Sequence, residues 1–104
     1  MDNVFLIHAS EVLGDTNTGL TATQIVEYCN NYSIDFNMII PVNISDFGKF
    51  GSRVPNKRTA LLQNLQALSD KQQFQIIKEL YDLEFFADNE SVKKLRGMLY
   101  TRYG

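Results

Sequence analysis

A chain of 104 residues with net charge −2, 44% hydrophobic and 21% charged has the make-up of one ordinary globular domain, burying somewhat over ~60% of its unfolded surface on folding. The composition excludes intrinsic disorder, and the acidic balance argues against general duplex binding, which goes with domains of pI above ~9. Cys29 is the single cysteine, so no intrachain disulfide forms, and the longest apolar runs, VFLI at 4–7 and MII at 38–40, fall far short of the ~20 residues of a membrane span. The start Met1-Asp2-Asn3 has neither the cationic opening nor the long apolar core of a signal peptide. A cytoplasmic protein with no membrane contact is the expectation.

Along the chain, Phe5, Leu6, Ala9, Val12 and Leu13 recur at the spacing of one helical face. This predicts a first helix over 3–13, capped by Asp2 or Asn3, with Gly14 supplying a left-handed C′ position. GDTNTGLT at 14–21 reads as a polar loop. Thr21 and Gln24 then form a capping box for a helix of about 22–35, whose apolar stripe is Ile25, Tyr28, Cys29, Tyr32 and Phe36. Residues 37–56 hold both prolines, Pro41 and Pro55, and support no more than a short helical turn near 44–50.

Asn56 caps a third helix with Leu61, Leu62, Leu65 and Leu68 as its buried stripe. Ser69 and Gln72 form a second capping box. It opens a fourth helix whose Phe74, Ile76, Ile77, Leu80, Tyr81 and Leu83 cover more than one face, as in a central, largely buried helix. Asn89 caps the last helix, with Val92, Leu95, Met98 and Leu99 inward and Lys93, Lys94 and Arg96 outward. The fold class expected is all-α, a compact bundle of five to six short helices forming a single domain over 1–104, either whole or the N-terminal module of a longer protein.

Sequences that resemble chemical motifs lose that meaning in context. The DFG of SDFG at 45–48 stands without the glycine-rich loop, strand lysine and catalytic loop that give the triplet its role in kinases. Gly48, Gly51 and Lys49 lack the phosphate-loop spacing. A calcium loop counted from Asp15 needs glycine sixth and glutamate twelfth, where Gly19 is fifth and Val26 twelfth. His8, Ser10 and Glu11 are too few and too dispersed around a helix for a nucleophile, base and orienter in one hydrogen-bonded chain. Cys29, on an apolar stripe with no second ligand at metal spacing, is a small core residue. No cofactor and no catalytic activity are expected.

Charge is segregated. Lys49, Arg53, Lys57 and Arg58 cluster before the third helix, and Lys93, Lys94, Arg96 and Arg102 lie on the last. Glu79, Asp82, Glu84, Asp88 and Glu90 gather near the end of the fourth. A domain with one cationic and one anionic surface can associate head-to-tail with copies of itself or with a partner of similar build. Phe47, Phe50, Phe85, Phe86, Tyr100 and Tyr103, in or beside loops and ends, would add aromatic anchors.

VFLIHASEVLG, GLTATQIVEYCNNYSIDF and VPNKRTALLQNLQALSDKQQFQIIKELYDL together resemble the N-terminal helical modules of bacterial abortive-infection and other antiphage proteins, the death-like, effector-associated adaptor domains. The resemblance implies a small helical bundle that acts by homotypic association and is linked to an effector such as a nuclease, protease or nucleotide-hydrolysing domain. The expected function is therefore a non-catalytic adaptor that self-associates or docks a related module. Its interface would run from Lys49, Arg53, Lys57 and Arg58 to Glu79, Asp82, Glu84 and Asp88. The alternative is nucleic-acid or nucleotide-ligand binding through the basic loop 49–58, which added salt would weaken steeply.

Overall fold

The computed structural model describes residues 1–43 and 56–104. The predicted short turn near 44–50 lies outside the described residues. Helix α1 (Asn3–Leu13) starts where the Asp2 carboxylate accepts the Val4 N–H at 2.7 Å, so Asp2 and not Asn3 is the cap. Its inward face is Phe5, Leu6, Ala9, Ser10 and Leu13, while Val4 and Ile7 face solvent.

Gly14 closes α1, but with φ −106° it is not left-handed as the sequence predicts. A Cβ at this position would lie 2.9 Å from the Ser10 carbonyl oxygen, 3.1 Å from Arg58 Cγ and 3.4 Å from Arg58 Cα. The glycine serves close approach. The loop beyond it is a folded turn in which Asp15 accepts the N–H groups of Asn17 and Thr18 at 2.9 and 3.0 Å. The Leu20 N–H returns to the Leu13 carbonyl at 2.8 Å, which sets the Leu20 side chain into the core.

Helix α2 (Ala22–Asp35) begins with the expected reciprocal box, Gln24 N–H to Thr21 Oγ1 at 3.1 Å and Thr21 N–H to Gln24 Oε1 at 2.9 Å. It ends at Asn37, whose φ is +53°. Around it the Met38 N–H reaches the Ser33 carbonyl and the Asn37 N–H the Ile34 carbonyl, a Schellman ending in which asparagine takes the position glycine usually fills. The chain then runs past Ile39, which is exposed, and buries Ile40 and Val42.

Helix α3 (Lys57–Gln66), capped by Asn56 on the Thr59 N–H at 2.9 Å, buries Ala60, Leu61, Asn64 and Leu65. Leu62 and Leu68 of the predicted stripe are only half-buried. Asn64, outside the predicted stripe, shares the buried face with Leu61 and Leu65. Its Oδ1 accepts the Val42 N–H at 2.9 Å and its Nδ2 donates to the Val42 carbonyl at 3.0 Å, both buried. One amide side chain thus satisfies both backbone groups of an irregular segment that no ladder could serve.

Helix α4 (Asp70–Tyr81) carries the Ser69–Gln72 box and buries Gln73, Ile76, Ile77, Leu80 and Tyr81. Its other face, with Lys71, Gln75, Lys78 and Glu79, is exposed, so α4 is amphipathic rather than central. The central helix is α1, which packs against α3, α4 and α5. A 3₁₀ turn at Glu84–Phe86 drives Phe86 into the core and leaves Phe85 59% exposed. Helix α5 (Glu90–Tyr103) is capped by Asn89 and buries Val92, Leu95 and Leu99, with Met98 packed half-buried beside them. Tyr103 meets Phe5 edge to face at 5.2 Å. The described residues therefore make an all-α bundle of five helices and one 3₁₀ turn, with a radius of gyration of 12.9 Å.

Replacing Asn64 by alanine would strand the Val42 N–H and carbonyl and open a small void, lowering stability in urea by about 2–4 kcal/mol. A loss below about 0.5 kcal/mol would show that the 40–43 segment is not anchored this way. Gly14→Ala would force α1 and α3 apart and is expected to cost about 1–3 kcal/mol in the same assay, as overpacking does.

Candidate functional site

Of the eight residues that charge segregation singles out, Lys49 and Arg53 lie outside the described residues. The other six divide into those that the fold engages and those that are exposed with no ion pair or side-chain hydrogen bond among the described residues. Lys57 is engaged: its ammonium donates to the Leu20 carbonyl at 2.7 Å, tying the start of α3 to the loop after α1. Glu79 accepts the Tyr32 hydroxyl, joining α4 to α2, and lies 3.5 Å from the Gln75 amide. Asp82 accepts from Arg96 at 3.2 Å.

Arg96 departs from its predicted outward position. It is half-buried, 5.0 Å from the Tyr81 ring centroid, and donates to the Tyr81 carbonyl at 3.4 Å as well as to Asp82. A guanidinium stacks on an aromatic face while its fork binds oxygen, and α5 turned this way closes the end of α4. The pair with Asp82 remains partly solvated and adds at most about 1 kcal/mol.

Arg58, Glu84 and Asp88 remain exposed. Glu84 and Asp88 flank the 3₁₀ turn that displays Phe85, and Tyr100 on α5 is also exposed. Phe86 is fully buried and Tyr103 half-buried, so neither is a free aromatic anchor, and Phe47 and Phe50 lie outside the described residues. Apart from Asn56, Lys57 and Arg58, the same holds for the basic loop that would contact nucleic acid.

A cleft of about 330 Å³ opens between α1 and the first turn of α3, lined by Ile7, Ser10, Glu11, Arg58, Thr59 and Leu62 beside the cap Asn56. Ser10 is 2% exposed and its Oγ has no hydrogen-bond partner among the described residues, so it makes no bond to His8. A second cleft of about 420 Å³ runs along the outer face of α4, between Lys71, Phe74, Lys78 and Asp82. Among the described residues no three His, Cys, Asp or Glu side chains converge as a metal site would require. Nor is any helix there long and apolar enough to cross a membrane.

Titration is perturbed at structural positions. Burial pushes the Cys29 thiol up to about 11, against a small opposing effect of the Asn64 side chain that reaches it. Burial, then the bond to Glu79, raises the Tyr32 phenol, and burial, then the neighbouring Tyr100, raises Tyr81. The N–H groups of Asn17 and Thr18 hold the exposed Asp15 carboxyl below its ordinary range, with a small contribution from Arg58.

Sequence reasoning passed over Asn64, Gln73 and the burial of Ser10. Gln73 donates to the Leu65 and Leu68 carbonyls at 2.8 and 3.2 Å, closing the end of α3. Each stands on the buried face of its helix, and at Asn64 and Gln73 the polar side chain there makes a buried hydrogen bond. Comparison with protein-family models, curated proteins and solved structures finds no match for this chain.

The Cys29 thiol is 2% exposed and protonated, so the folded protein will resist an aromatic disulfide reagent near about pH 8 and react at once in urea. The folded-state value lies above the unfolded reference of 9.0, so the contribution of Cys29 to stability is complete below that value and declines as pH rises through about 11. Urea midpoints should fall across that window, and less so in Cys29→Ala.

Proposed function

We propose that this chain is a non-catalytic protein–protein interaction module that self-associates or docks a related module through oppositely charged surfaces. The observation that carries this reading is the arrangement at the α4–α5 corner. Glu84 and Asp88 stand exposed on either side of Phe85, without an ion pair among the described residues, and Phe85 is 59% exposed. An aromatic anchor ringed by carboxylates suits a cationic partner surface. Arg58, exposed at the start of α3 next to the engaged Lys57, is the described part of a surface of the opposite sign.

The interface is thus narrower than charge counting alone suggests. Glu79, Asp82 and Lys57 hold helices and loop together, and the contact falls to Arg58 on one side and Glu84, Phe85 and Asp88 on the other, with Lys49 and Arg53 extending the basic side. We further propose, on the resemblance described above, that the setting is a bacterial antiphage system, the compartment the cytoplasm, and the effector another domain or protein.

Sedimentation velocity at low and high salt tests the reading. Arg58→Glu is expected to weaken association at least about tenfold at low salt while the thermal transition stays in place, and salt should weaken the wild type toward the same state. The same species distribution for wild type and variant at both salt concentrations would refute this interface.

A further inference from the structure

The cleft between α1 and α3 carries a second, separate reading. Ser10 lines it; the residue is 2% exposed and its buried Oγ has no hydrogen-bond partner among the described residues. A buried hydroxyl without a partner is destabilising unless something else fills the bond. The cleft's other side is the first turn of α3, ten residues long, where Asn56 caps the Thr59 N–H and helix geometry leaves the N–H groups of Lys57 and Arg58 without intrahelical acceptors. The Arg58 side chain lines the same cleft.

We propose that this cleft binds the phosphate group of a small ligand. A tetrahedral oxyanion can accept at once from a guanidinium fork, from the open end of a helix and from a hydroxyl, which approach from different directions. Two carboxylates oppose it: Glu11 on the rim, and Asp15 within electrostatic reach of Arg58. They keep the affinity for bare phosphate modest and favour a ligand that brings a hydroxyl or ammonium group to Glu11. The site does not depend on self-association, although both use Arg58.

Titration with inorganic phosphate, followed by amide chemical shifts of the full chain, tests the proposal. Saturable shifts at Ser10, Arg58 and Thr59 are expected. Ser10→Ala should weaken binding several-fold while raising the melting temperature, since it removes an unpartnered buried hydroxyl. Arg58→Gln should weaken binding about tenfold or more, and Glu11→Gln should tighten it. Adenosine monophosphate in a second arm separates a bare phosphate site, with equal affinity, from one that also grips an attached group, with tighter affinity. Linear, non-saturating shifts, or affinity unchanged in both Ser10→Ala and Arg58→Gln, would overturn the site. Ser10→Ala leaves sedimentation unchanged, and reversal of Glu84 and Asp88 leaves phosphate binding unchanged, so the two readings fail separately.

Discussion

A methyl group placed on Gly14 would lie 3.1 Å from Cγ and 3.4 Å from Cα of Arg58, so the end of α1 meets the first turn of α3 with only the Arg58 side chain at the contact. Three neighbouring interactions hold that approach. The Asp15 turn returns the chain, the Leu20 N–H bonds back to Leu13, and the Lys57 ammonium grips the Leu20 carbonyl. Helix α1 also packs against α4 and α5, and α3 against α2, so this junction joins the α2–α3 side of the bundle to the α4–α5 side. The cleft that holds Ser10, and the exposure of Arg58 beside it, follow from the same junction.

This junction also explains why residues of the same charge have different roles. Lys57 and Arg58 are adjacent in sequence but about 100° apart around the helix, so one meets the Leu20 carbonyl while the other stays in solvent. The acidic group divides in the same way. Glu79 faces Tyr32 on α2 and Asp82 faces Arg96 on α5, whereas Glu84 and Asp88 lie on the turn between α4 and α5, away from either helix. A cluster of charge in sequence therefore contains both internal ties and side chains that stay exposed, and helix geometry separates them.

What was legible in the sequence was local. Capping at Asp2, Thr21–Gln24, Asn56, Ser69–Gln72 and Asn89 involves partners two or three residues apart, and every one of these caps is present. The less legible features depend on distant partners. Asn64 meets Val42 across 22 residues, and Arg96 turns inward because the Tyr81 ring and Asp82 await it on another helix. Gly14 and Asn37 show the same limit from the backbone side. Glycine suggested a left-handed ending to α1, but Gly14 has φ −106° and instead lets Arg58 approach, while the left-handed residue is Asn37, after α2. For the charged residues, sign and sequence neighbourhood are legible, but which of them tie elements together, as Lys57, Glu79 and Asp82 do, is not.

The proposed contact between a basic surface including Arg58 and an acidic-aromatic corner of another module can be probed by mixing two complementary charge variants of the chain. Arg58→Glu and the double variant Glu84→Lys, Asp88→Lys each lose one side of the contact, yet their altered surfaces are complementary to each other. Sedimentation at low salt should find each variant monomeric alone and assembled when the two are mixed in equal amounts. Assembly by either variant alone, or a mixture that stays monomeric while the wild type associates, would contradict it.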